Sequence, residues 1–175
     1  GRFLGNRGEQ SSGGAALEQA REYQDPEQLE ADKVLGDTLM GLTRYADAIS
    51  AYRAVIEAGA DDETGLYRQR MVECLIRVGE YDAATEALEL LPTATREQLT
   101  VVLLEADLLR ARGAAASSLE VLNSAAADFP PEPLVYMKRA QILGVEAATQ
   151  DDAMPDLAEA LRIEPRNWQA LRLRA

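Results

Sequence analysis

Two stretches decide how this chain is read: LGDTLMGLTRYADAISAYRAVIEAG (residues 35–59) and MVECLIRVGEYDAATEALELL (residues 71–91). Laid over one another at an offset of 36 residues, they place Leu39 on Leu75, Tyr45 on Tyr81, Ala48 on Ala84 and Tyr52 on Leu88. A third copy, EADLLRARGAAASSLEVLNSAAADFP (105–130), follows at an offset of 34, with Leu75 on Leu109 and Gly79 on Gly113. A fourth runs from KRAQIL (138–143) through AMPDLAEALRIEP (153–165). Within each copy apolar residues recur at three- and four-residue spacing, Ala is abundant and no alternating strand pattern intervenes, so each copy predicts two helices. Recurrence at about 34 residues marks a helix-turn-helix array, in which one hairpin cannot bury its apolar face alone and must stack on its neighbours.

Working outward, Gly and Pro divide the chain at Asp25-Pro26, Gly59, Gly79, Pro92, Gly113, Pro130-Pro131 and Pro165, giving helices of about 10 to 18 residues. Small residues (Gly36, Ala48, Ala84, Ala106, Ser118, Ala140 and Ala153) stand where paired helices must approach closely, and larger neighbours fill the flanking space. A Gly after a helix supplies the left-handed residue that reverses the chain. Thr43 stands in that place in the first copy. Pro92 comes early, so the second helix of the second copy should be short by about a turn. In the fourth copy GVEAATQDDAMP lengthens the turn and puts Pro155 in the first turn of the helix that follows.

These features resemble the tetratricopeptide repeat family. The first helices supply Leu35-Gly36 with Leu39, Met71-Val72 with Leu75, Ala106 with Leu109, and Ala140 with Leu143; the second helices supply Ala48 with Tyr52, Ala84 with Leu88, Ser118 with Leu122, and Ala153 with Leu157; Pro130 and Pro165 close their copies. The resemblance implies an all-α, right-handed α-solenoid of about four helix-turn-helix repeats, near 29–62, 65–94, 99–132 and 133–166, forming a single domain over 15–175. Half-repeats are expected at both ends, 15–26 and 167–175, behind a flexible Gly-rich lead-in at 1–14. It also implies a concave groove lined by the first helices, at Lys33, Asp37 and Met40; Gln69, Glu73 and Ile76; Leu103, Asp107 and Arg110; and Met137 and Gln141. Such a mixture of charges, amides and apolar anchors suits an extended peptide or a helix from a protein partner.

Some members of the family hold a chaperone's C-terminal carboxylate with Lys, Asn and Arg on successive first helices. The corresponding positions here read Lys33 and Asp37, then Arg70, then Thr100 and Leu104. Asp37 repels a carboxylate and Leu104 offers no donor, and a register one repeat later gives Gln69 and Glu73, so that mode is excluded.

Composition narrows the chemistry further. Among 175 residues there is no His and one Cys, Cys74, which removes His-dependent nucleophilic catalysis, imidazole metal ligands, intrachain disulfides and Cys-based zinc clusters. Neither Lys33 nor Lys138 sits in a phosphate-binding loop. Thirty acids against eighteen bases leave a net charge of −12, which opposes binding to nucleic acid or anionic lipid. The apolar run Val101–Leu104 is cut at once by Glu105, so no segment reads as a membrane span. No cofactor or metal is expected. Cys74, with no His or Lys nearby in sequence, reads as a small packed hydrophobe. Asp61-Asp62-Glu63 and Asp151-Asp152 fall at helix starts, where they match the dipole. Tyr45, Tyr52 and Tyr81 recur with the repeat and are read as core.

The expected function is therefore a non-catalytic scaffold that binds a protein or peptide in its groove. The alternative is a structural module that pairs with a second copy through exposed terminal helices, since Trp168, Leu171 and Leu173 do not give the polar outer face of a capping helix. A carboxylate-only hydrolase needs two acids facing across a cleft, and every acid here fits an exposed helix face. The chain opens with Gly1 rather than Met, which leads to the expectation of a piece of a longer protein and leaves an upstream signal, an anchor, and a cytoplasmic or periplasmic setting all open.

Overall fold

The computed structural model describes residues 26–60, 64–144 and 150–174. Among them are ten helices and no strand: α1 (Pro26–Gly41), α2 (Tyr45–Glu57), α3 (Leu66–Val78), α4 (Tyr81–Glu89), α5 (Thr93–Arg96), α6 (Leu99–Ala111), α7 (Ala115–Asp128), α8 (Pro133–Leu143), α9 (Gln150–Ile163) and α10 (Trp168–Arg174). The expected lead-in at 1–14, the half-repeat at 15–26 apart from Pro26, the acids at 61–63 and most of the turn before Gln150 lie outside the described residues.

Helices pack in chain order. α1 lies on α2, α2 on α3 and α3 on α4; α6 lies on α7, α7 on α8, α8 on α9 and α9 on α10, while α3, α4 and α5 also meet α6. Every substantial contact among the described residues joins elements no more than three apart, the local connectivity of a helical repeat. The core is correspondingly a seam. Leu39, Ala48, Tyr52, Val72, Leu75, Ala84 and Leu108 pack as one cluster across the first hairpins. Leu103, Ala106, Leu122, Ala125 and Val135 continue it, and Met137, Ala160 and Ala170 carry it to α10.

The small residues sit where helices come closest. Gly36, Ala48, Ala84, Ala106, Ser118, Ala140 and Ala153 are all buried. A Cβ at Gly36 would fall 2.5 Å from Cε1 of the fully buried Tyr52, so the ring occupies the space that any larger residue on α1 would take. Ser118 meets the same constraint and satisfies its hydroxyl by donating to the Ala106 carbonyl at 2.7 Å.

The hairpin turns repeat in atomic detail. The N–H of Thr43 bonds the carbonyl three residues back and that of Arg44 the carbonyl five back; Gly79 with Glu80, and Gly113 with Ala114, do the same. This is the Schellman closure, which needs one left-handed residue. Gly79 (φ 85°) and Gly113 (φ 83°) take that conformation easily, and Thr43 takes it at φ 59° with a β-branched side chain. Gly144 departs from the pattern and remains in the right-handed region.

The array departs from the expected regularity in three places. Ahead of Pro92, α4 has 9 residues against 13 in α2 and 14 in α7 and α9. The extra helix α5, not evident in the sequence, fills the gap: its Thr95 is buried and donates to the Thr64 carbonyl at 3.3 Å. In α6 it is Leu108 that is buried, with Leu109 only partly so. Pro155 does not lie in the first turn, because α9 starts at Gln150, where Asp151 and Asp152 favour the positive end of the helix dipole.

One acid contradicts the expectation that all of them are solvated. Asp156 is 4% exposed and accepts from Arg139 at both carboxylate oxygens, with Nε to Oδ2 at 3.0 Å. Arg139 also donates to Asn123 at 3.1 Å and lies 5.6 Å from the Tyr136 ring, so one guanidinium ties α7, α8 and α9 together. A buried carboxylate is tolerated because a bidentate cation replaces its water.

The Thr43 strain gives a direct test. Thr43→Gly should raise unfolding free energy in urea by about 1 kcal/mol, and Gly113→Ala, which meets no atom within 4 Å of its new Cβ, should lower it by about the same amount. Equal midpoints for the three proteins would show that the left-handed residue is not what limits this turn.

Candidate functional site

α1, α3, α6 and α8 are the first helices of the four hairpins, and side chains on their shared face link one to the next. Arg70 of α3 pairs with Asp37 of α1, which also accepts from the Tyr52 hydroxyl at 2.9 Å. Thr100 of α6 donates to Gln69 of α3 at 3.3 Å. Lys138 of α8 pairs with Asp107 of α6 at 2.5 Å. Burial, reinforced by the neighbouring Asp37 carboxylate, pushes the Tyr52 phenol well above the ordinary tyrosine range. Tyr67 lies 6.1 Å from Tyr52 with Arg70 5.6 Å and Lys33 5.8 Å from its ring, so the first two hairpins meet through aromatic and cationic contacts.

Between α3, α6 and α8 the shared face opens into a groove of about 320 Å³. Gln69, Glu73, Leu103 and Asp107, chosen from the sequence, all line it. So do Arg70, Thr100 and Leu104, which the sequence reading weighed only for a carboxylate clamp, and Leu66, Leu134 and Lys138, which it missed. A second hollow of about 270 Å³ between α8 and α10 brings Met137 and Gln141 beside Trp168. Lys33, Asp37, Met40, Ile76 and Arg110 line neither. Lys33 is held by Glu30 at 2.6 Å, Ile76 packs on the core, and Met40 Sδ lies 3.5 Å from the Tyr52 hydroxyl.

Two of the expected anchors do not stand free. Leu103 and Met137 are buried in the seam, Leu103 packed with Ala106, Leu122 and Val135 and Met137 with Ala160 and Ala170. They form floor rather than contact points, and the exposed apolar atoms belong to Leu66 and Leu134, each 41% exposed. The signal that would have found the ion pairs was present in the sequence: the acids Asp37, Glu73 and Asp107 recur at 36 and 34 residues, and Arg70 and Lys138 stand 68 residues (two repeats) apart with Leu104 midway.

On a different face of α6, a cleft of about 300 Å³ is lined by Leu88, Val101, Leu108 and Leu109 and rimmed by Arg112, which is tied to Asp82 at 2.6 Å. Among the described residues no three His, Cys, Asp or Glu side chains gather to hold a metal ion. No helix among them is long and apolar enough to cross a membrane.

Helices packed in consecutive pairs with a groove along their first members make this an all-helical molecule whose pairing is consistent with a helical repeat. Its likeness to known proteins is distant. No protein-family model matches the chain. It is 26% identical over 169 residues to a curated protein of Schizosaccharomyces pombe, DnaJ homolog subfamily C member 7 homolog. That alignment takes in 86% of this chain and 35% of the relative, so the chain spans about a third of that protein's length.

Cys74 is fully buried on α3, and burial, with the Glu73 carboxylate adding, pushes its thiol up to about 11. At pH 8 the thiolate fraction is then on the order of one in a thousand, so a thiol-specific reagent should label the native protein very slowly and the urea-unfolded protein within minutes. The folded thiol keeps its proton where the unfolded one loses it. Unfolding free energy should therefore be complete below about pH 9 and decline as pH rises toward 11. Rapid native labelling would show that α3 does not shield this position.

Proposed function

We propose that this chain is a right-handed tetratricopeptide-type solenoid that binds a protein partner, as an extended peptide segment, in the groove of α3, α6 and α8, and that it catalyses no reaction. One observation carries the reading: the groove exposes Leu66 and Leu134 between side chains whose charges are already matched, Arg70 with Asp37 and Lys138 with Asp107. Polar walls whose cations are already matched, with apolar contact area beside them, are what an extended peptide needs, since its backbone and its alternate side chains can both be served. Support also comes from the sequence resemblance, from the helical pairing, and from the relative whose name places it among DnaJ homologues. The absence of His and the locking of Asp156 by Arg139 leave little for acid–base chemistry.

The test is selection of a peptide-display library on the folded chain. Enriched peptides should lose binding by about tenfold or more when Leu66→Ser and Leu134→Ser are combined, and should retain it with Leu90→Ser, an exposed leucine on the C-terminal side of α4. No enrichment, or equal loss in both variants, would overturn the groove.

A second reading is favoured by α10, whose Trp168 is 64% exposed with Leu171 and Leu173 beside it. Apolar area of that kind on a terminal helix suits pairing with a second copy. Light scattering coupled to sizing should then show mass rising with concentration and reverting to monomer with Trp168→Ser; a concentration-independent monomer rejects it.

A further inference from the structure

The polar face that joins the first helices has a column of acids and a column of cations, and one rung is broken. Asp37 meets Arg70, and two repeats further Asp107 meets Lys138 at 2.5 Å. Glu73 is the acid between them in register, and the residue that should answer it, 34 after Arg70 and 34 before Lys138, is Leu104. Glu73 is left with Arg77 of its own helix at 4.0 Å, both side chains well exposed, which is the weak limit of a surface pair. Both Glu73 and Leu104 line the groove. Its cations, meanwhile, are matched by Asp37 and Asp107. Among the described residues the groove thus presents one carboxylate without a cross-helix cation, beside apolar side chains, in a protein of net charge −12.

We infer that the groove selects peptides carrying an arginine or lysine with leucine-like side chains on the same face, the basic group taking the place at Glu73 that Leu104 leaves vacant in the ladder. This rests on the groove reading above and deepens it. In an extended peptide, residues two apart point the same way, so an apolar–basic–apolar triplet at alternate positions offers one cation to Glu73 and two apolar groups to the leucines. The long-range field draws such a peptide in, and the single rung sets its register. An acidic peptide would meet Glu73 with no free cation to offset it.

The experiment uses three fluorescein-labelled heptapeptides, SLSRSLS, SLSQSLS and SLSESLS, titrated with the whole chain and followed by fluorescence polarisation. The arginine peptide should bind at least about fivefold more tightly than the glutamine peptide, with the glutamate peptide weakest. Glu73→Gln should erase the arginine preference, and so should Leu104→Lys, which supplies the missing rung from within. Glu120→Gln, which removes an exposed charge on α7 outside the groove, should leave the preference intact, and circular dichroism verifies that each variant is folded. Preference for the glutamate peptide, or an arginine preference that persists in Glu73→Gln, overturns the inference. Three peptides that bind alike yet respond to Leu66→Ser with Leu134→Ser would sink it while the groove stands. No binding at about 2 mM, or binding indifferent to those leucines, counts against both.

Discussion

Close approach of neighbouring helices is the constraint on which the rest of this structure depends. The array holds together because each first helix offers a Gly, Ala or small branched residue at the crossing, Gly36, Val72, Ala106 and Ala140, and each second helix answers with Ala48, Ala84, Ser118 and Ala153. Removing side-chain bulk at these points lets the larger groups interdigitate around them, which is how Tyr52 comes to fill the space over Gly36. Polar groups caught in such a seam must be satisfied there. The Ser118 hydroxyl, the Tyr52 hydroxyl and the Asp156 carboxylate each have a partner, and no buried side-chain nitrogen or oxygen among the described residues lacks one.

From that seam follows the groove. With second helices packed on their neighbours, first helices keep one face toward solvent, and several side chains on that face bond to the adjacent first helix. Arg70, Thr100 and Lys138 do so, each reaching back about one repeat. These pairs are partly screened and individually weak. Their structural consequence is to fix which charges are spent internally and which remain for a ligand. The two hollows on this face, with leucines between matched charges in one and Trp168 at the rim of the other, are a product of that allocation.

Much of this was legible beforehand, for a physical reason. Burial at a helix crossing demands small residues at a fixed spacing, so the positions at 36, 48, 84, 106, 118, 140 and 153 show themselves as a period in the chain. The turn requirement is equally local, and Thr43 was visible as the odd residue in a glycine position before its φ was known. The groove was legible only in part. Gln69, Glu73 and Asp107 lie in it, but Leu103 and Met137 have turned inward and Leu66 and Leu134 have taken the exposed places. On a helix, neighbouring positions differ by about 100°, so a modest rotation exchanges floor and rim, and no single repeat encodes that rotation.

The chain by itself determined the all-helical class, the hairpin period, the close-contact positions and the lack of imidazole chemistry, because each depends on residue type and spacing within one or two turns of helix. Tertiary structure alone decided that α5 fills the space ahead of which α4 stops, that Asp156 is buried on Arg139, and that Leu66 and Leu134 stand exposed in the groove. Those outcomes depend on how far one helix slides and turns against another some 20 to 30 residues away, a quantity set by the summed packing of the seam and carried by no local stretch of sequence.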